Sequence, residues 1–185
     1  LEDRITPTAY LVTNTNDSGT DSLRQAMLNA NASDSNPDSI SFSITGTITL
    51  QSALPSLITA ATVGALTING PGASSLTISG AFGGFRIFNI ATGGDLSISD
   101  VTVSGAIFSG DGGAIFNTGG ALTISGSTLS GNTAKNGGAI YNTGAATVTV
   151  ITNSTLSGNT AVGGTTFSDG GAIFNTGGAL TISGS

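Results

Sequence analysis

A sixteen-residue string, GGAIFNTGGALTISGS, fills positions 112–127 and returns unchanged at 170–185. Between the copies, 137–143 reads GGAIYNT, and STLSGNTA stands at both 127–134 and 154–161. Self-similarity at a short period is the mark of a stacked repeat, in which each unit packs only on its neighbours. Asn117 to Asn142 spans 25 residues and Asn142 to Asn175 spans 33. Two of the surplus residues are expected in the strand region 147–153 and six in the loop 162–169, since repeats absorb insertions between unchanged units.

Each unit carries three short runs of alternating residues, at 114–117, 122–125 and 127–130, bounded by Gly and Asn. Such alternation reads as strand and turn. Three strands per coil predict an all-β right-handed parallel β-helix, a β-solenoid whose like strands stack ~4.8 Å apart. Ile115, Ile140 and Ile173 then share one inward column, Leu122 and Leu180 a second, and Ile124 and Ile182 a third. In an earlier, degenerate coil Phe88-Asn89 is matched to Phe116-Asn117, and 76–78, 66–68, 47–50 and 40–44 belong to coils before it. This reading divides the chain into a cap at 1–38 and a β-helix of roughly four to five coils at 39–185, truncated or uncapped at its C-terminus. In the cap, Asp21-Ser22 can N-cap a helix with Leu23, Met27 and Ala30 on one face, widened by Ala26. Such a helix covers the open apolar end of a solenoid and its unpaired backbone groups.

Composition narrows the chemistry. Against ten Asp+Glu there are four Lys+Arg, for a net charge of −6, with no Cys and no His. Four scattered cations cannot neutralise a phosphate backbone, so no nucleic-acid partner is expected. Thiolate and imidazole chemistry and soft-metal sites are absent, and no cofactor or metal is expected. No apolar run reaches the roughly 18 residues of a membrane helix, so this segment is expected not to insert into a membrane. Leu1-Glu2-Asp3-Arg4 is no start for a signal peptide.

The run 12–19, VTNTNDSG, followed by Ser22-Leu23-Arg24-Gln25-Ala26, resembles the N-terminal signature of large bacterial right-handed β-helix surface proteins. The GTITL segment at 46–50, the TINGPGASSLTISG segment at 67–80 and the GGAIFN and SGNTA elements are similar to repeats of polymorphic outer-membrane proteins and autotransporter passengers. In that family a Cys precedes Ser-Leu-Arg; Asp21 stands there here. The resemblance implies an extracellular or cell-surface structural protein, and a fragment of a longer one or a short member whose end another molecule completes. We expect a non-enzymatic stalk, adhesin or fibre segment, with head-to-tail self-association of the C-terminal end with the Leu11–Thr15 region or the first coil of a neighbour, and a host-surface or polysaccharide ligand, as candidate partners.

Candidate site residues follow from the columns. Asn117, Asn142 and Asn175, with Asn132 and Asn159, read as structural asparagine ladders at turns, in preference to sugar-binding amides. Phe116, Tyr141 and Phe174 point opposite to Ile115 and form a candidate binding row. Carboxylates are the only plausible acid–base groups for an enzyme of the polysaccharide hydrolase or lyase kind. Asp111 and Asp169, with Asn136 between them, are expected ~9–10 Å apart, near the spacing of an inverting pair. Asp and Asn before Gly are also good turn formers. Arg86 and Lys135 read as isolated cations. Asp111-Gly112-Gly113 hints at a calcium-binding nonapeptide, without its nine-residue period. Outward rows of Thr and Ser, among them Thr77, Ser79, Thr102, Ser104, Thr123 and Ser125, leave ice binding as a second alternative, with 147–149 read as the one paired Thr-x-Thr. Asn16, Asn31 and Asn153 begin glycosylation sequons.

Overall fold

The computed structural model describes residues 8–32, 37–57, 64–144, 147–163 and 169–185. Strand β1 (Thr8–Val12) precedes helix α1 (Leu23–Asn31). The next windings hold β2 (Asp38–Phe42) and β3 (Gly46–Thr49), then β4 (Leu66–Asn69) and β5 (Leu76–Ser79). They are followed by β6 (Phe88–Ile90), β7 (Asp95–Ser99) and β8 (Thr102–Ser104). One full repeat contributes β9 (Ile115–Asn117), β10 (Ala121–Ser125), β11 (Thr128–Ser130) and β12 (Thr133–Ala134). The following one contributes β13 (Ile140–Asn142), β14 (Val148–Thr152), β15 (Thr155–Ser157) and β16 (Thr160–Ala161). The chain closes on β17 (Ile173–Asn175) and β18 (Ala179–Ser183).

Every strand pairs in parallel with its counterpart one winding away, giving a parallel β-helix. The widest wall runs β1-β2-β4-β7-β10-β14-β18, a second runs β3-β5-β8-β11-β15, and a third β6-β9-β13-β17. Seven strands in one wall make about six turns, where the sequence count gave four to five. Six steps of ~4.8 Å make a rod of roughly 29 Å. The difference arises at the start: β1 lies in the segment read as cap, yet it pairs with β2 in the common register. A fourth, two-residue rung also appears, β12 on β16, continued by a bridge from Ile107 to Thr133.

Inward columns fill the bore. Ile115, Ile140 and Ile173 stack in register, and Leu122 and Ile124 are fully buried above Leu96 and Ile98. Each such side chain contributes about 1.5–3 kcal/mol of burial free energy. Phe88 aligns with Ile115 and Asn89 with Phe116, one residue away from the match drawn on sequence. Phe88 is 1% exposed, so hydrophobic burial takes the inward place, and a one-residue slip would turn it to water. Likewise the pairing of Asn117 with Asn142 and of Ala121 with Val148 puts the two surplus residues in the connection before β14. A turn lengthens without disturbing register, whereas a strand does not.

Close approach of windings explains the GG pair before each inward Ile. Gly112, Gly137 and Gly170 have φ of 70°, 58° and 64°, left-handed values that favour glycine. A Cβ on Gly113 would stand 2.3 Å from the Gly138 carbonyl oxygen of the next winding. At the N-terminal end, Ser22 caps α1 by accepting from Gln25 N at 3.2 Å, and Leu23, Ala26, Met27 and Ala30 are buried. Arg24 ties the helix down, bonding Asp17 at 2.7 Å and the carbonyls of Ser52 and Ala53. The Ser-Leu-Arg-Gln-Ala run is thus a clamp of cap, core anchor and tether.

Candidate functional site

Three surface features hold the chemistry the chain offers. The first is the aromatic row. Phe116, Tyr141 and Phe174 are register partners on β9, β13 and β17, all half-buried. Ring centres lie 5.4 Å and 5.3 Å apart with interplanar angles of 19° and 36°. The rings therefore turn their faces to each other and their edges outward. A sugar stacks on an aromatic face, and along most of this row the faces are taken by neighbouring rings.

Sequence reasoning missed the head of the row. Arg86, from the winding before Phe116, sets its guanidinium 4.0 Å from the Phe116 ring centre and 4.4 Å from that of Phe108. Burial lowers its pKa, and the charge of Asp111 opposes that shift. It is a member of a cluster and not isolated, and no repeat motif at its position signals this, since Asn89 is the residue in register with Phe116. Lys135 is exposed.

The second feature is the polar column beside the row. Asn136 donates from Nδ2 to Asp111 Oδ1 at 2.8 Å, and its Oδ1 accepts from the Asp169 backbone N at 3.1 Å. The three residues stack at one turn, Asn136 spacing the two acids. The asparagines of the core divide into two kinds. Asn132 and Asn159 form a ladder: Asn132 Nδ2 donates to Asn159 Oδ1 at 3.0 Å and to Val103 O at 3.1 Å, and its Oδ1 accepts from Ala106 N. Asn117 instead bonds its own turn, accepting from Gly120 N and donating to Gly120 O, both at 2.9 Å. Asn175 repeats that bond to Gly178 O at 3.4 Å. Asn142, between them, is buried with both amide atoms unpartnered, and so is the Thr149 hydroxyl. Thr147 and Thr149 face inward, contrary to their sequence reading as an outward pair, because Thr149 occupies the Leu122–Leu180 column.

The third feature is the outer face of the second wall. Thr47, Thr77, Thr102, Thr128 and Thr155 are successive register partners, an unbroken threonine column. Beside it run Thr49, Ser79, Ser104, Ser130 and Ser157. The outward position is Thr on every rung because a β-branched hydroxyl residue suits the solvated face of a strand. No charged side chain interrupts either column. Among the described residues no group of three or more carboxylates could hold a metal ion, and no helix is long and apolar enough to cross a membrane.

These features define a parallel β-solenoid with ordered surface rows. No protein-family model, curated protein or solved structure matches the chain.

Proposed function

We propose that this β-solenoid is a non-enzymatic spacer in a bacterial extracellular surface protein of the polymorphic outer-membrane or autotransporter-passenger kind, holding an adhesive partner away from its point of attachment. The supporting observation is the seven-stranded in-register wall, backed by a continuous apolar bore beneath a clamped helix. A solenoid of this kind stiffens by repetition, since each winding templates the next. Immunogold labelling of intact cells that make the protein tests this reading: label at the cell exterior supports it, and purely internal label overturns it. Head-to-tail association belongs to the same proposal. At the C-terminal end β18 has one open edge and Ile182 is 49% exposed, so a further winding, from this chain or another copy, would bury both. Sedimentation that rises with concentration supports association between copies; a strict monomer at high concentration removes that part.

A second reading rests on the threonine column. Five Thr in register beside a parallel hydroxyl column make a regular, uncharged array of the kind that orders water and binds ice, with the Thr102 hydroxyl held by the Ala73 carbonyl at 2.7 Å and the other four Thr carrying the row. Thermal hysteresis that is lost on Thr128→Tyr, between Thr102 and Thr155 in the column, supports it. No hysteresis in the unaltered protein overturns it.

A further inference from the structure

Arg86 makes no hydrogen bond and no ion pair among the described residues, and its Nε is enclosed by protein without a partner. Its guanidinium is pinned against the rings of Phe108 and Phe116, so its rotamer freedom is already largely lost while its terminal N–H donors remain free. The surroundings extend this donor character. Aromatic edges carry partial positive charge, and the row from Phe116 to Phe174 presents edges in steps of 5.3–5.4 Å along the rod. The Tyr141 hydroxyl, on the middle ring, holds no hydrogen bond among the described residues and adds a neutral donor and acceptor. A planar fork of donors bordered by positive ring edges is the complement of a planar oxyanion, for which the bidentate guanidinium geometry is suited. A linear ligand would follow the row, whose length exceeds that of a single small anion.

We propose that Arg86, with the edges of Phe116 and Tyr141, binds the carboxylate of a uronic acid unit in an acidic polysaccharide lying along the row. The site stands whether or not the chain serves as a spacer. Asp111 opposes it: its negative charge acts on the Arg86 guanidinium, and its Oδ1 accepts from Asn136 Nδ2 at 2.8 Å. That opposition supplies a distinguishing variant.

The protein contains three arginines, Arg4, Arg24 and Arg86, so the Arg86 Nε–Hε resonance is assigned by its loss in Arg86→Gln. Arg24, ion-paired with Asp17, is the internal control. The probes are a galacturonate trisaccharide, the neutral galactose trisaccharide and acetate, added at constant ionic strength. The Arg86 signal is expected to shift to saturation with the uronate trisaccharide, accompanied by ring protons of Phe116 and Tyr141. Asp111→Asn is expected to tighten binding about threefold, the worth of one charge several ångströms away in a near-aqueous dielectric. Arg86→Gln is expected to abolish the ring shifts. If that variant does not fold, Arg86→Lys, which keeps the charge and loses the fork, is expected to bind more weakly. Equal shifts with the neutral trisaccharide, acetate binding as tightly as the uronate, unchanged affinity in Asp111→Asn, or Arg24 moving together with Arg86 would each overturn the proposal.

Discussion

Residues 112–127 and 170–185 have one sequence and two environments. Both copies build the same strands, β9 with β10 and β17 with β18, and both Asn117 and Asn175 bond the glycine three residues on. Yet Ile124 is fully buried while Ile182, its equivalent, is 49% exposed. Asn117 is buried and Asn175 exposed. The first copy lies between two windings and the second against one. Conformation in this fold therefore follows from local sequence and a template on one side, whereas full burial of the inward side chains requires a winding on both sides.

The largest expected effect tests that separation directly. Ile124→Ala is expected to destabilise by about 2–5 kcal/mol, and Ile182→Ala by well under 1 kcal/mol, because only the first leaves a cavity. Chemical unfolding of the two variants measures both, and equal losses would break the comparison. Next in size, Asn132→Ala leaves the Ala106 N–H and the Val103 carbonyl without their amide partner and is expected to cost about 2–3 kcal/mol. Asn159→Ala removes the equivalent bonds, to the Leu129 carbonyl and from Asn132 N and Nδ2, and is expected to cost less because Asn159 is half-buried where Asn132 is fully buried. The smallest effect has the opposite sign. Thr149→Val removes a buried hydroxyl that has no partner and is expected to stabilise by about 1 kcal/mol, read as a raised melting temperature.

Much of this architecture was legible because identical residues stack. The Ile115, Ile140 and Ile173 column and the Ser22 cap followed from spacing and capping chemistry alone. What was illegible lay where repetition fails. β1, reading TAYLV, shares no motif with the later strands, so only its pairing with β2 reveals it as a rung. Phe88 slipped by one place because its neighbour Asn89 imitates Asn117, and burial, which decides the face, is not written in a dipeptide. The Thr column on the second wall emerged once register sorted the Thr and Ser rows by sheet. Arg86 was hidden for another reason: its partners are Phe108, between β8 and β9, and Phe116 on β9, both far from it in sequence, and its own segment carries no repeat element.

The direction of the backbone hydrogen bonds has a mechanical consequence. Because they join one winding to the next, a pull along the rod loads them end-on, and the molecule yields by unspooling from an end, one turn at a time. Each released turn, about 28 residues by the register of the widest wall, adds some 95 Å of slack chain at roughly 3.4 Å per extended residue. Such a rod would limit tension between whatever is joined to its two ends, lengthening in steps instead of snapping.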